Sequence, residues 1–224
     1  MSSTKNYEPP LRIQITIKNI FIVMAYILIL TLFLAIFWYP ERYFAFQEHI
    51  SNLGGMESFT SKLSNTTSMY IMIVGFGVCC LLALSVSILY FTNKQLRGRI
   101  PKGILTLILA FGAAGIAVPL DHPLRILHLT GAACFIGGFA SFNAYLQISS
   151  TIRKHVKGWS EVGKGDAIWD ALLSLIVVGI LVVYFIFFAW DQLVGGIAPL
   201  GPLLQKITVF AMIFSYYFID NIDI

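Results

Sequence analysis

Charged residues are scarce in this sequence, and their scarcity decides the broad class of the protein. Asp, Glu, Lys and Arg make up 12% of its 224 residues, whereas about 25% is usual for a soluble domain. Hydrophobic residues make up 58%, and the mean hydropathy is +0.81. The chain therefore belongs in a lipid bilayer. Its net charge of +4 does not indicate a nucleic-acid partner, because no basic stripe with interleaved aromatic residues is present.

Cysteine is rare as well, and the common motifs of catalytic and metal sites are missing. Cys79, Cys80 and Cys134 all lie within apolar runs, and none belongs to a C-x-x-C pair. Neither a zinc knuckle nor a disulfide framework is therefore indicated. The sequence also contains no H-x-x-x-H, H-E-x-x-H or G-x-S-x-G pattern. We expect no bound metal and no cofactor.

Long apolar runs are what the sequence does contain. Each is close to the length, about 20 residues, that a helix needs to cross a bilayer core of about 30 Å. The runs lie at about 20–38, 68–91, 104–120, 124–149, 168–190 and 203–219. They predict an all-α, polytopic membrane protein with six transmembrane helices in one bundle over residues 20–219. The tail at 1–19 and the end at 220–224 flank this bundle.

Lysine and arginine are distributed unevenly between the two sides of the predicted bundle. Counted on alternate sides of the six runs, eleven of the 15 fall on one side and four on the other. Because an excess of positive charge marks the cytoplasmic side, we expect both termini in the cytoplasm and the chain in the cell membrane. The loops at 39–66 and 191–202 and the turn that contains Asp121 then share the outer face.

The loop at 39–66 carries a helical pattern of its own. Four apolar residues recur at helical spacing, namely Tyr43, Phe46, Ile50 and Leu53. Gly54-Gly55 follows as a stop signal. The pattern predicts a short amphipathic helix in the outer headgroup layer. Asn65 opens an N-glycosylation sequon near the end of this loop, and the sequence leaves its modification open.

Small residues within the apolar runs mark where helices approach each other closely. They occur in the second, third and fourth runs, at Gly75, Gly77, Gly112, Gly115, Gly131, Gly137 and Gly138. We expect the faces that carry them to pack inside the bundle.

The turn from Asp121 to His128 places an acid, two imidazoles and a guanidinium between two apolar runs. An ionisable cluster in or beside a membrane is a candidate functional site by default. Pro123 suits the first turn of the fourth helix, which puts His128 inside the bundle. Asp121 is either a helix cap or a site residue, and Arg125 either binds a lipid phosphate or pairs with Asp121. His122 and His128 fall on different faces of a regular helix, which disfavours a shared metal.

Three segments together resemble a known family. They are His49–Gly55 after the first run, Asn65 with Gly75 at the second, and His128-Leu129-Thr130-Gly131-Ala132 followed by Phe135, Gly138, Tyr145 and Gln147. In this order they resemble the Frag1/DRAM/Sfk1 superfamily of six-span membrane proteins, and most of all its bacterial and archaeal relatives. That family has an I-S-x-x-G segment after helix one and an H-x-x-G-A segment at helix four. The resemblance implies a lipid-related role and points to the matching positions Ser51, Gly54, His128, Gly131 and Ala132.

The leading hypothesis is a membrane protein whose outer-facing polar cavity binds or remodels a lipid. The candidate lipid-binding residues are His49, Ser51, Asn52, Asp121, Arg125 and His128, and the structural motif comprises Gly54, Gly131 and Ala132. One alternative is a histidine- or metal-assisted lipid hydrolase or acyl transferase that uses the same residues. The other is a non-catalytic scaffold whose basic loops at 94–102 and 153–164 recruit a partner. We expect membrane lipids as partners, and the sequence leaves association with a second copy or another membrane protein open.

Overall fold

The computed structural model describes residues 11–44, 47–121, 123–157 and 200–217, together with scattered residues between 168 and 190 that are all helical. The helices are α1 Leu11–Phe37, α2 Thr66–Thr92, α3 Arg99–Ile116, α4 Arg125–Lys157 and α5 Leu200–Tyr217. A short 3-10 helix, Ile50–Gly54, lies in the loop between α1 and α2. These ranges contain no strand, and an isolated antiparallel bridge joins Glu57 to Ser64. The predicted all-α class is confirmed for this part of the chain.

Among the described residues, four helices are long and apolar enough to cross a membrane. They are α2, α3 and the segments Arg12–Phe37 of α1 and Arg125–Ser149 of α4. Helix α5 has 18 residues and is not one of the four; Gln205 and Lys206 interrupt its apolar sequence. The predicted fifth run at 168–190 lies partly outside the described residues. The six-span arrangement therefore stays a prediction.

Two helices extend beyond the predicted apolar runs. Helix α1 begins at Leu11, so the last residues of the predicted tail are helical. The reason is that apolar side chains of this segment already pack into the core, where Ile17 is 1% exposed. Helix α4 continues to Lys157, well past the predicted end at residue 149.

Helices that follow one another in the chain pack side by side, α1 against α2, α2 against α3 and α3 against α4, while α5 contacts α4. The backbones of α3 and α4 touch, because a Cβ atom on Gly131 would lie 2.5 Å from the Cα atom of Gly115. Gly77 does not meet the expectation of a close approach within the described ranges, since a Cβ atom there would have none of their atoms within 4 Å. In the core, the ring of Phe21 stacks on Phe142 with centroids 5.0 Å apart.

The loop between α1 and α2, the turn between α3 and α4 and the start of α5 lie at one end of the bundle. The Asp121 carboxylate in the turn bonds to the backbone of Met56 in the loop. The side-chain oxygen of Gln205 in α5 accepts the backbone N–H of Ile50 at 2.9 Å. The segments that carry the candidate residues therefore meet at this end.

Of the described residues in the predicted amphipathic helix, the last ones are helical, as the 3-10 helix Ile50–Gly54, and Phe46 lies outside the described residues. Tyr43 and Phe44 are not helical. The side chain of Glu48 turns back and accepts the backbone N–H of Phe44 at 2.9 Å. The loop therefore folds around the Glu48 side chain.

Candidate functional site

Asp121 joins the turn between α3 and α4 to the loop between α1 and α2. Its Oδ2 atom accepts hydrogen bonds from the backbone N–H groups of Met56, at 2.8 Å, and Glu57, at 3.4 Å. Gly55 makes the approach possible, because a Cβ atom there would lie 2.8 Å from the same oxygen. Within the described structure, Asp121 therefore ties the loop between α1 and α2 to this turn.

A cavity of about 430 Å³ lies between this loop and this turn. We call it the polar cavity, and its lining consists of Asn52, Gly55, Glu57, Ser58, Phe59, Lys62, Leu120, Asp121 and Arg125. Lys62 and Arg125 bring positive charge, while Glu57 and Asp121 bring negative charge. Small-molecule sites in proteins typically measure about 300–1,000 Å³, so the polar cavity is large enough for a headgroup.

Asn52 supplies a buried hydrogen-bond donor to the wall of the polar cavity. Its side chain is 8% exposed, and its Nδ2 atom has no hydrogen-bond partner in the described part of the chain. Leaving a buried amide group unpaired costs about 1–3 kcal/mol, so such groups call for an explanation, and a ligand is one. Lys62, on the same wall, has a φ of 54°, which is uncommon for a residue other than glycine.

His128 lies in the first turn of α4 and is 1% exposed. Its Nδ1 atom is 2.6 Å from the backbone carbonyl oxygen of Val118, just beyond the end of α3. Its Nε2 atom is buried and has no hydrogen-bond partner among residues 11–44, 47–121, 123–157 and 200–217. A smaller cavity of about 40 Å³ lies beside it, which we call the His128 cavity. Its lining is mostly apolar and comprises Leu28, Leu32, Ile50, Ser51, Met72, Phe76, Ile116, His128, Ala132, Phe135, Ile136, Gln205 and Val209.

The structure thus divides the residues of the single predicted site between two cavities. Asn52, Asp121 and Arg125 line the polar cavity, whereas Ser51 and His128 line the His128 cavity. His49 lines neither cavity; its ring lies beside α5, where a Cβ atom on Gly201 would be 3.5 Å from the His49 Cε1 atom.

The three motif residues are placed close to the same cavities. Ala132 lines the His128 cavity. Gly131 contacts Gly115, and Gly54 is buried next to Met72. They therefore shape the packing around the site and contribute no polar group to it.

The described residues offer no set of metal ligands. Among them, no group of three or more His, Cys, Asp and Glu side chains could hold a metal ion. His122, the remaining histidine of the predicted cluster, lies outside the described residues. The described donor set therefore gives no support to the metal-assisted alternative.

Sequence reasoning missed a buried cluster around Glu48, which is 1% exposed. Its carboxylate accepts the Tyr39 hydroxyl at 3.3 Å and the Phe44 backbone N–H at 2.9 Å. The Lys206 ammonium donates to the backbone carbonyl oxygens of Glu48 and Pro202, and so ties α5 to the loop. The sequence signal for this cluster was Lys206, a lysine inside the sixth apolar run. The count of positive charges on the two sides of the bundle had used Lys206 only to predict the topology.

Burial in this cluster changes the acidity of two phenols. It raises the pKa of Tyr39 from 10.0 to about 12, and the nearby Glu48 carboxylate acts in the same direction. Burial, followed by the charge of Glu48, also raises the pKa of Tyr43 above its ordinary value. Both phenols therefore stay neutral donors, and the Tyr43 hydroxyl donates to the Glu48 backbone oxygen at 3.1 Å.

A buried cation lies at the opposite end of the bundle. Lys102 is 1% exposed, and its Nζ atom is 5.6 Å from the centroid of the Tyr90 ring. Asn143 and Gln147 of α4 are buried as well. Lys102 is therefore a core residue and cannot belong to a basic surface at 94–102, where the scaffold hypothesis counted it.

The sequon residue Asn65 is also part of the core, at 1% exposure. Its Nδ2 atom donates to the backbone oxygens of Leu53, at 3.0 Å, and Gly55, at 2.9 Å. The amide that a glycan would modify is thus used to hold the loop beneath the polar cavity.

Comparison of the chain with protein-family models, with curated proteins and with solved structures finds no match. The resemblance to the Frag1/DRAM/Sfk1 superfamily therefore stays a prediction that depends on the residues quoted for it.

Proposed function

We propose that this chain is a six-span membrane protein, with both termini in the cytoplasm, that binds the phosphate-bearing headgroup of a membrane lipid in the polar cavity. The observation that carries the proposal is the cavity itself: about 430 Å³, with Arg125, Lys62 and the unpaired Nδ2 atom of Asn52 in its walls. Two cations and a neutral donor are the groups that recognise phosphate oxygens.

The position of Arg125 strengthens this assignment. Arg125 is the first residue of α4, and the N-terminus of a helix carries partial positive charge from its unpaired N–H groups. An anion near Arg125 would meet the side-chain charge and the helix dipole together. Because a guanidinium can bind two phosphate oxygens at once, it also orients the group that it binds.

The carboxylates in the polar cavity narrow the class of headgroup. Glu57 and Asp121 line the same walls as the two cations. A headgroup that carries an ammonium beside its phosphate matches both signs of charge. A zwitterionic phospholipid headgroup is therefore the expected ligand class.

Apolar side chains next to the polar cavity favour a lipid over a free phosphate compound. Phe59 lines the cavity and is 55% exposed. At the start of α4, Ile126 is 72% exposed, and Leu124 and Leu127 are about half exposed. Acyl chains that extend from a bound headgroup would cover these surfaces, whereas a water-soluble phosphate would leave them in contact with solvent.

The test is the binding of a short-chain phosphatidylethanolamine to the purified protein in detergent, measured by calorimetry. Arg125→Gln should weaken binding about tenfold, which corresponds to the loss of one charge-assisted contact. Arg97→Gln is the matched control, because Arg97 is exposed in the connection between α2 and α3 at the opposite end. Equal losses in the two variants would contradict the proposal.

Two further ligands separate the possible sources of the phosphate. Inorganic phosphate should bind far more weakly than the lipid, and phosphatidylglycerol, which has no ammonium, should bind more weakly than phosphatidylethanolamine. If inorganic phosphate binds as well as the lipid, the site takes free phosphate and the lipid assignment is wrong.

A further inference from the structure

We infer that the His128 cavity is a second binding site, separate from the polar cavity, which takes the hydroxyl group of an uncharged, apolar molecule. The inference does not depend on the proposed headgroup site. It depends on one buried nitrogen atom, on the hydrogen bond that fixes its role and on the residues around it.

The hydrogen bond at Nδ1 determines what Nε2 can do. The partner of Nδ1 is the carbonyl oxygen of Val118, at 2.6 Å, and a carbonyl oxygen only accepts. Nδ1 therefore carries the proton. In the neutral ring, Nε2 then has a free lone pair and needs a donor. The imidazolium form would instead place a charge in a buried site, which is less favourable.

The Nε2 atom of His128 needs a hydrogen-bond donor, and it is buried where water has little access. The residue is 1% exposed, and no described residue supplies a donor to Nε2. Native proteins pair nearly all such buried polar atoms, with protein groups, water or ligands. The unpaired lone pair beside a cavity of about 40 Å³ therefore indicates that a donor group from another molecule enters there.

The lining of the His128 cavity selects the chemical class of that molecule. Met72, Phe76 and Phe135 provide apolar walls, and Ser51 and Gln205 are polar. The Oε1 atom of Gln205 already accepts the Ile50 backbone N–H, so its amide N–H groups remain as donors. A hydroxyl group donates to His128 Nε2 and accepts from an amide or a serine at the same time. A carboxylate or a phosphodiester has no proton to donate and would bring an unpaired charge.

The size of the cavity sets how much of the ligand it holds. A volume of about 40 Å³ is enough for the hydroxyl group and the first carbon atoms, but not for a whole lipid. The apolar remainder of the molecule would therefore follow the open side of the cavity along the helices. A long-chain alcohol has these properties and serves as the probe.

The test compares 1-decanol with its methyl ether, which has the same apolar chain but no hydroxyl proton. Binding to the purified full-length chain in nanodiscs is followed by the shift in thermal unfolding. We expect the alcohol to bind about 2- to 10-fold more tightly than the ether, as one additional hydrogen bond predicts. Equal binding of the two probes, or no binding of either because water alone fills the cavity, would overturn the inference.

Two substitutions of His128 test the roles of its two ring nitrogen atoms separately. In His128→Asn the side-chain amide can still donate to Val118, but no atom replaces Nε2, so the preference for the alcohol should disappear. In His128→Gln the amide oxygen can take the place of Nε2, so part of the preference should return. His49→Asn is the matched control and should behave like the wild type, because His49 does not line the cavity. A preference that survives in His128→Asn would refute the role of Nε2.

A measurement on the wild-type protein covers the case in which the His128 variants do not fold. The ¹⁵N chemical shift of the His128 Nε2 atom should move when the alcohol is added and stay unchanged with the ether. Arg97→Gln should keep this response in full, because Arg97 is exposed in the connection between α2 and α3 and lines neither cavity. An unresponsive Nε2 in the wild type would contradict the hydroxyl site.

Discussion

The Nδ1 atom of His128 lies 2.6 Å from the backbone carbonyl oxygen of Val118, so a single hydrogen bond ties the first turn of α4 to the end of α3. The same bond fixes which ring nitrogen carries the proton. About one helical turn further into the bundle, the backbones of Gly115 and Gly131 are in contact. These two contacts hold α3 and α4 together, and residues of this helix pair line both cavities.

Asn52→Leu should raise the stability of the protein and weaken ligand binding. The Asn52 Nδ2 atom is buried without a partner in the described structure, so removing it relieves a cost and should stabilise the ligand-free protein by about 1 kcal/mol. The same change should weaken phosphatidylethanolamine binding several-fold, because a donor is lost from the polar cavity. Thermal unfolding and calorimetry on one preparation measure both effects. A stability loss of the size usual for a core substitution would show that the amide has a partner.

Gly131→Ala should disrupt the contact between α3 and α4. The added Cβ atom would lie 2.5 Å from the Gly115 Cα atom, and backbone atoms cannot move aside as a flexible side chain can. We expect a loss of about 1–3 kcal/mol or more, read as a lower thermal unfolding midpoint. Gly77→Ala adds the same atom where no described residue lies within 4 Å and should be neutral or slightly stabilising. Similar midpoints for the two variants would rule out the close contact.

Asp121→Ala should loosen the loop between α1 and α2. Two backbone N–H groups, those of Met56 and Glu57, lose their acceptor, and each bond to a charged group is worth about 1.5–3 kcal/mol before it is discounted for exposure to solvent. Hydrogen exchange at these two amides should accelerate. Asp121→Asn keeps one side-chain oxygen and should show a smaller effect. Unchanged exchange in Asp121→Ala would mean that the loop is held by other contacts.

Stability should fall at alkaline pH through Tyr39. Its pKa rises from 10.0 to about 12 on folding, chiefly because of burial, so the folded state holds the phenol proton more tightly than the unfolded state does. The resulting stabilisation is complete below about pH 10 and is lost as the pH rises from there to about 12. Tyr39→Phe should make the alkaline decrease in the unfolding midpoint shallower. Tyr70→Phe, at an exposed tyrosine, should leave the decrease as in the wild type.

The sequence predicted the helical core well because lipid imposes a simple requirement on it. A segment that crosses a bilayer must satisfy its own backbone hydrogen bonds and present mostly apolar side chains, and α1 to α4 each contain a long, mostly apolar stretch. The packing of Gly131 inside the bundle could be predicted for a related reason, because only small residues let the backbones of two helices come into contact. Gly77 shows the limit of that rule, because residue type does not tell which face of a helix meets a neighbour.

The loop and the candidate site were harder to predict, because side-chain hydrogen bonds between distant segments decide them. Nothing in the spacing of Tyr43 and Leu53 shows that the Glu48 carboxylate turns back to Phe44. The sequence left open whether Asp121 is a helix cap or a site residue, because the residue that it binds, Met56, lies in another loop. Ser51 and Asn52 are adjacent in the chain, yet they line different cavities, and no periodicity in the sequence distinguishes them.

The bond between Asp121 and Met56 also constrains the order in which the chain can assemble. Met56 emerges from synthesis long before Asp121, so the loop that contains it has no acceptor for this N–H until α3 has been made and inserted. Closure of the loop is therefore a late event that waits for the α3–α4 pair.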